Sequence, residues 1–203
     1  MLTLFHKGGP IMWPLLAVSI LTLGVVIERV IFMIRESRRR DAAALERLFA
    51  LAERGEMDGA AAAGAGSRDY RVRTLAFGLA QRHSSFSNAL VAAANRELKR
   101  YTQGVAVLDT AITLSPLLGL LGTVTGMIRS FGLLGGAELD APAAITGGIA
   151  EALIATAFGL GIAIVALIPF NYLNARVEEA RHEIEDASNR LELLLVRTEK
   201  QTA

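Results

Sequence analysis

Cysteine is absent from this chain of 203 residues, which excludes disulfides, thiolate metal sites and thiol catalysis. Histidine is scarce: His6, His83 and His182 stand far apart, with no carboxylate cluster around any of them. No metal site is therefore expected. The phosphate-cradling and nucleophile-elbow patterns GxGxxG, GxxxxGKS/T and GxSxG are missing, so no enzyme active site has a candidate and no cofactor is expected. A formal net charge of +1 does not of itself point to a nucleic-acid partner. The most informative absence is local. From Ala141 to Leu173 there is no Lys or Arg, and the one charge is Glu151.

Hydrophobic residues make up 52% and charged residues 20%, with a mean hydropathy of +0.41. That mixture points to segregated membrane and aqueous parts. The stretch from Ala143 to Tyr172 is longer than the roughly 20 residues that cross a ~30 Å hydrocarbon core, and it reads as a transmembrane helix. Small residues fill it, among them Gly147, Gly148, Ala152, Ala155, Thr156, Gly159, Gly161 and Ala163. Such residues let backbones approach in lipid, where no hydrophobic effect drives helices together.

A first span is expected over residues 11–34, after a short N-terminal segment, 1–10. Ile11 to Ile27 is uncharged, and Glu28, Arg29, Arg35, Arg38, Arg39 and Arg40 follow in place of a small-residue cleavage site. The run thus reads as a retained helix with its cationic end in the cytoplasm. Residues 35–109 read as a cytoplasmic helical loop. In it Leu45, Leu48, Phe49 and Leu51 continue an amphipathic helix out of the first span, and the Ala-rich stretch Gly59 to Ser67 is a short helix or a linker. A further helix begins near Ser87, carries Leu90, Val91, Ala94 and Leu98, and runs on into the second span, 110–134. There Ser115, Gly119, Gly122 and Gly126 form a small-residue seam that suggests close helix contact in an assembly. The hairpin 135–142 carries Glu138 and Asp140 and no basic residue, as expected outside the cell. The third span, 143–172, then leads into a C-terminal cytoplasmic helix, 173–203, with Val177, Ile184, Leu191, Leu194 and Leu195 near helical spacing. The expected fold class is an all-α integral membrane protein with three transmembrane helices and long cytoplasmic helical extensions, N-terminus out and C-terminus in.

Glu151 is the candidate functional residue, because a carboxylate within a membrane costs on the order of 2.5–3.5 kcal/mol on insertion scales. Three readings stand: a pore-lining proton or hydration site, a structural carboxylate paired with a cation, or a group snorkelling outward. Some eight residues into the span, about 12 Å on helix rise, it is deep for snorkelling. The pairing candidate is Arg129, at a comparable depth in the second span. Paired with a guanidinium, a carboxylate favours its charged form and is a poor proton relay. Thr123 and Thr156, taken alone, read as hydroxyls bonded to a carbonyl one turn back.

Two stretches carry a resemblance. LLGLLGTVTGMIRSF (Leu117 to Phe131) and GGIAEALIATAFGL (Gly147 to Leu160) are similar to the second and third spans of the ExbB/TolQ proton-channel subunits, relatives of the flagellar stator protein MotA. The Pro and terminal Glu-Arg of IMWPLLAVSILTLGVVIER are similar to the first span. The resemblance implies a homo-oligomer, a pentamer, whose central pore holds the single-span helices of an ExbD/TolR-like partner bearing a proton-exchanging Asp. Protons would be the coupling ion. It matches Glu151, Thr156 and Thr123 to the proton path, while Arg129 departs from the family's usual neutral or acidic residue. The Gly119, Gly122, Gly126, Gly148 and Gly159 positions are helix-packing sites in every reading. The function implied is the large subunit of a proton-driven motor of the bacterial inner membrane, working on TonB-type import or Tol-type envelope maintenance through a TonB- or TolA-like protein, among membrane lipids and without nucleic acid. The alternatives are a non-conducting helical membrane scaffold and a MotA-type stator subunit.

Overall fold

A computed structural model describes residues 2–132 and 141–202. Eight helices follow one another among them: α1 (Leu2–Lys7), α2 (Met12–Ser37), α3 (Ala42–Glu53), α4 (Met57–Ala65), α5 (Tyr70–Ala80), α6 (Arg82–Thr102), α7 (Val105–Gly132) and α8 (Ala141–Thr202). No strand occurs among the described residues. The chain is an all-α protein. Three helices are long and apolar enough to cross a membrane, within Met12–Ser37, Val105–Gly132 and Thr146–Thr198. Their outward faces expose Ile20, Leu21, Ile128, Leu153, Ile164 and Ile168, a surface that is costly in water and neutral in lipid.

The chain divides into two compact units, Met1–Arg29 with Gly104–Tyr172, and Val30–Gln103 with Leu173–Ala203. In the first, Pro14 sits in the opening turn of α2, where its missing N–H leaves no bond unmade.

The second unit is built around two apolar clusters. One gathers Leu48 and Phe49 of α3, Val72, Leu75 and Leu79 of α5, Leu90 of α6 and Leu191 of α8. The other joins Tyr70, Tyr101, Val177, Ala180 and Ile184. Val177, Ala180, Ile184, Ala187 and Leu191 recur three and four residues apart, so α8 turns one continuous stripe to both clusters. Each Leu or Phe so enclosed contributes about 1.5–3 kcal/mol relative to exposure. Val91 lies off its helix's stripe and is 57% exposed.

Caps set the boundaries of the short helices. Asp41 caps α3 by accepting from the Ala44 N–H at 2.8 Å. Asp69 caps α5, accepting from the N–H groups of Arg71 and Asp41, each at 2.9 Å, and from the Arg71 Nη2 at 2.7 Å. Although burial alone raises a carboxyl pKa, these bonds hold Asp69 below the usual aspartate range. Its stabilisation is therefore complete above the ordinary aspartate pKa and is lost as pH falls through the lowered folded value. Asp69→Asn, which keeps one oxygen for the Arg71 N–H but removes the charge and the second acceptor, is expected to lower stability by about 1–2 kcal/mol at neutral pH, with the difference from wild type shrinking in acid. Thermal melts of the detergent-solubilised protein across pH check this; a pH-independent difference would refute it.

Two expected helix continuities are broken. The helix leaving the first span stops at Ser37 and α3 restarts at Ala42, so the two are not continuous. The Ala-rich stretch is mostly helical, as α4, with Ala60 and Gly64 buried. Helix α6 does not run into the second span. It ends at Thr102, and Gly104, with φ +76°, turns the chain into α7. Ser85 is extended inside the first turns of α6, so the regular helix begins past it, close to Ser87. The hairpin residues 135–140, with Glu138 and Asp140, lie outside the described residues, as do Leu133 and Leu134 of the second span. The third span and the C-terminal helix form a single element, α8.

Candidate membrane ion-pair site

Helices α7 and α8 pack antiparallel through their smallest residues. The buried face of α7 reads Ala111, Ser115, Gly119, Gly122, Gly126 and Ser130, and that of α8 includes Ala152, Ala155 and Ala163. A Cβ added at Gly119 would stand 2.9 Å from the Thr156 Cα, and one at Gly126 3.0 Å from the Gly148 carbonyl oxygen. At Gly122 it would meet the Ala155 Cβ at 2.5 Å and the Ile11 Cγ2 at 3.0 Å. Gly148 and Gly159 make equally close approaches, to Ser130 Oγ and to the Ser115 carbonyl. The seam expected to serve an assembly is filled within the chain, by α8 and the start of the first span. A Cβ at Gly161, by contrast, would meet no described atom beyond its own stretch of helix within 4 Å.

Hydroxyls along the seam bond to backbone. Ser115 and Ser130, both buried, donate to the carbonyls four residues back, at 2.6 and 2.9 Å. Thr123 donates to the Leu120 carbonyl at 2.6 Å. Thr156 does not bond to its own helix. Its hydroxyl crosses to the Gly119 carbonyl of α7 at 2.9 Å, a bond that the missing Gly119 side chain permits. The two threonines thus end on consecutive carbonyls of α7.

Beyond Gly126 the seam opens onto charge. Arg129 Nη1 lies 3.0 Å from Glu151 Oε1, joining α7 to α8. The Glu151 side chain is 23% exposed and Arg129 55%. The pair forms where the helices, in antiparallel register, bring residues 129 and 151 to the same level. Thr156 is five residues further along α8, about 7.5 Å along the axis and turned about 140° from Glu151, so the structure groups Glu151 with Arg129 and Thr156 with Gly119.

Sequence reasoning missed two features. The turn Gly8-Gly9-Pro10 lies against Glu151 and Ile154; its Gly-Pro composition marks a turn and says nothing of what the turn touches. Thr22 of α2 is buried with its hydroxyl unbonded among the described residues, beside an apolar recess of about 300 Å³.

Residues 69–186 match the model of the MotA/TolQ/ExbB proton channel family. A putative biopolymer transport protein, ExbB-like 1, of Synechocystis sp. is 38% identical over 198 residues, 94% of this chain and 77% of its own. A second protein of that organism, ExbB-like 3, is 32% identical over 193 residues, 92% of this chain and 91% of its own. The Tol-Pal system protein TolQ of Haemophilus influenzae is 44% identical over 89 residues, 44% of this chain and 39% of its own. With three apolar helices of spanning length in a chain similar to these relatives over most of its length, the protein is a multi-pass membrane protein that belongs to the MotA/TolQ/ExbB proton channel family.

Proposed function

We propose that this chain is the large subunit of a proton-driven motor of the bacterial inner membrane, coupling proton flow to work on a periplasmic or outer-membrane system. The family is a channel family and not an enzyme class. The observation that carries the reading is Glu151, a carboxylate in an otherwise uncharged span, held at the α7–α8 seam rather than turned to an aqueous end. Arg129 gives it a counter-charge within the same chain. In this reading Glu151 therefore biases and hydrates the path, while the exchangeable proton sits on the Asp of a single-span ExbD/TolR-like partner enclosed by five copies of this subunit. Thr156 and Thr123 border the path, since a hydroxyl both donates to and accepts from water. Protons are the coupling ion and no other cofactor takes part. A TonB- or TolA-like protein receives the work, and the N-terminus is periplasmic with the C-terminus cytoplasmic. The 3.0 Å ion pair also favours a second reading, in which Glu151 only locks α7 to α8.

The test is proton flux into vesicles holding the subunit with and without its partner. Single cysteines, placed at Glu138 and Arg68 in this cysteine-free chain, fix its orientation. Flux that requires the partner, falls in Thr156→Ala, and accompanies outside labelling at 138 but not at 68 is expected. Partner-independent flux, or the reversed labelling, would refute the reading.

A further inference from the structure

Gly9 occupies a position that only glycine fills without strain, for two separate reasons. Its φ is +71°, in the left-handed region, while it precedes Pro10, a setting that pushes other residues to extended backbone. The turn is closed by backbone bonds on both sides, from Gly8 N–H to the Phe5 carbonyl and from Met12 N–H to the Gly9 carbonyl, each 3.2 Å. Space is the second reason. A Cβ on Gly9 would lie 2.6 Å from the carboxyl carbon of Glu151 and 3.1 Å from its Cγ, and would overlap Oε1. That is the oxygen that meets Arg129 Nη1 at 3.0 Å. The turn is also pinned to its neighbours. A Cβ on Gly8 would come within 3.1 Å of Ile154 Cγ2, Ile11 reaches the bare face of Gly122, and Met12 and Leu15 are 2% and 1% exposed.

We infer that Gly9 is a positioning residue for Glu151: its side-chain-free backbone packs directly against the carboxylate and leaves Oε1 in place to meet Arg129. The N-terminal turn is thereby part of the membrane ion-pair site and not a passive lead-in to the first span. In an oligomer with a proton path, this packing restricts which way Glu151 can swing, and so fixes the direction from which water or the partner's carboxyl meets it. This function rests on the proton-path reading; the contact itself does not.

The experiment combines melts with flux. Gly9→Ala is expected to lower the melting temperature of the purified protein, and to lower it by less when Glu151→Ala removes the obstructing carboxylate, a non-additive pair. Gly55→Ala supplies the cost of a positive φ alone, since Gly55 has φ +81° with only Thr198 Cγ2 near, at 3.5 Å. In vesicles with the partner, Gly9→Ala is expected to lower flux at least about ten-fold, and Glu151→Asp, which withdraws the carboxylate by one methylene, to restore part of it in the Gly9→Ala background. Should Gly9→Ala fail to accumulate, recovery of folded protein in that double variant supports the inference and continued loss overturns it. Additive melts, or a Gly9→Ala defect that Glu151→Asp leaves untouched, overturn it while the proton-path reading stands. A wild-type subunit that passes no protons with its partner removes the proton-path reading, and the melts alone then decide whether Gly9 positions Glu151.

Discussion

Glu151→Gln is expected to lower partner-dependent proton flux by about 100-fold, the scale on which a preorganised electrostatic contact acts in a site shielded from water. Glutamine keeps the size and hydrogen-bonding capacity of the side chain and removes its charge, so the loss reports electrostatics rather than packing. Arg129 decides between the two readings of the pair. If Glu151 biases the path, Arg129→Ala leaves that charge in place and lowers flux by much less than Glu151→Ala does. If the pair is only a lock between α7 and α8, Arg129→Ala is as damaging as Glu151→Ala, and the double variant is no worse than either. Stopped-flow acidification of dye-loaded vesicles, with insertion and partner capture measured alongside, gives the comparison. Wild-type flux in Glu151→Gln and Glu151→Ala would end the proton-path reading and leave the residue structural.

The second large effect is steric. Gly159→Leu forces a side chain into the Ser115 carbonyl and the Gly119 backbone, whose Cα would stand 3.1 Å from the first added carbon. Ordinary core overpacking costs about 1–3 kcal/mol because neighbouring side chains shift; here the obstacle is main chain, so α7 and α8 must separate. Separation also strands the Thr156 hydroxyl, whose acceptor is the Gly119 carbonyl. Loss of folded protein is the expected outcome, read as protease sensitivity and failure to accumulate in the membrane. At Gly161, two residues on, the first added carbon meets no atom beyond its own stretch of helix within 4 Å, and Gly161→Leu is expected to keep the fold. Equal tolerance of both substitutions would show that the α7–α8 seam is looser than its geometry.

The spans were legible because lipid imposes a strict demand: long runs free of charge, as in Ile11 to Ile27 and Ala143 to Tyr172, have few other uses. The Arg129–Glu151 contact could be named as a candidate for the same reason, since two opposite charges at matched depth have few other partners. What Thr156 bonds to was not legible. Its acceptor depends on how near α7 approaches, and that distance is set by Gly119, nearly 40 residues earlier in sequence, where the separation itself carries no signal. The break at Gly104 was missed because apolar residues continue on both sides of it, so periodicity runs through a position where the backbone turns. Gly59 to Ser67 stayed ambiguous because alanine and glycine carry too little contrast to reveal a buried face. The seam's small residues showed that something packs there, and not whether it belongs to the same chain.

The Arg129–Glu151 contact has a consequence for biogenesis. Arg129 leaves the ribosome 22 residues before Glu151, and each alone burdens its helix with on the order of 2.5–3.5 kcal/mol at mid-bilayer on the insertion scale. Helices α7 and α8 entering together as a hairpin present the bilayer with a neutral pair, whereas either entering alone presents a bare charge. The membrane thus admits this part of the chain most readily as a two-helix unit. The entry of the third span is thus eased by a residue of the second.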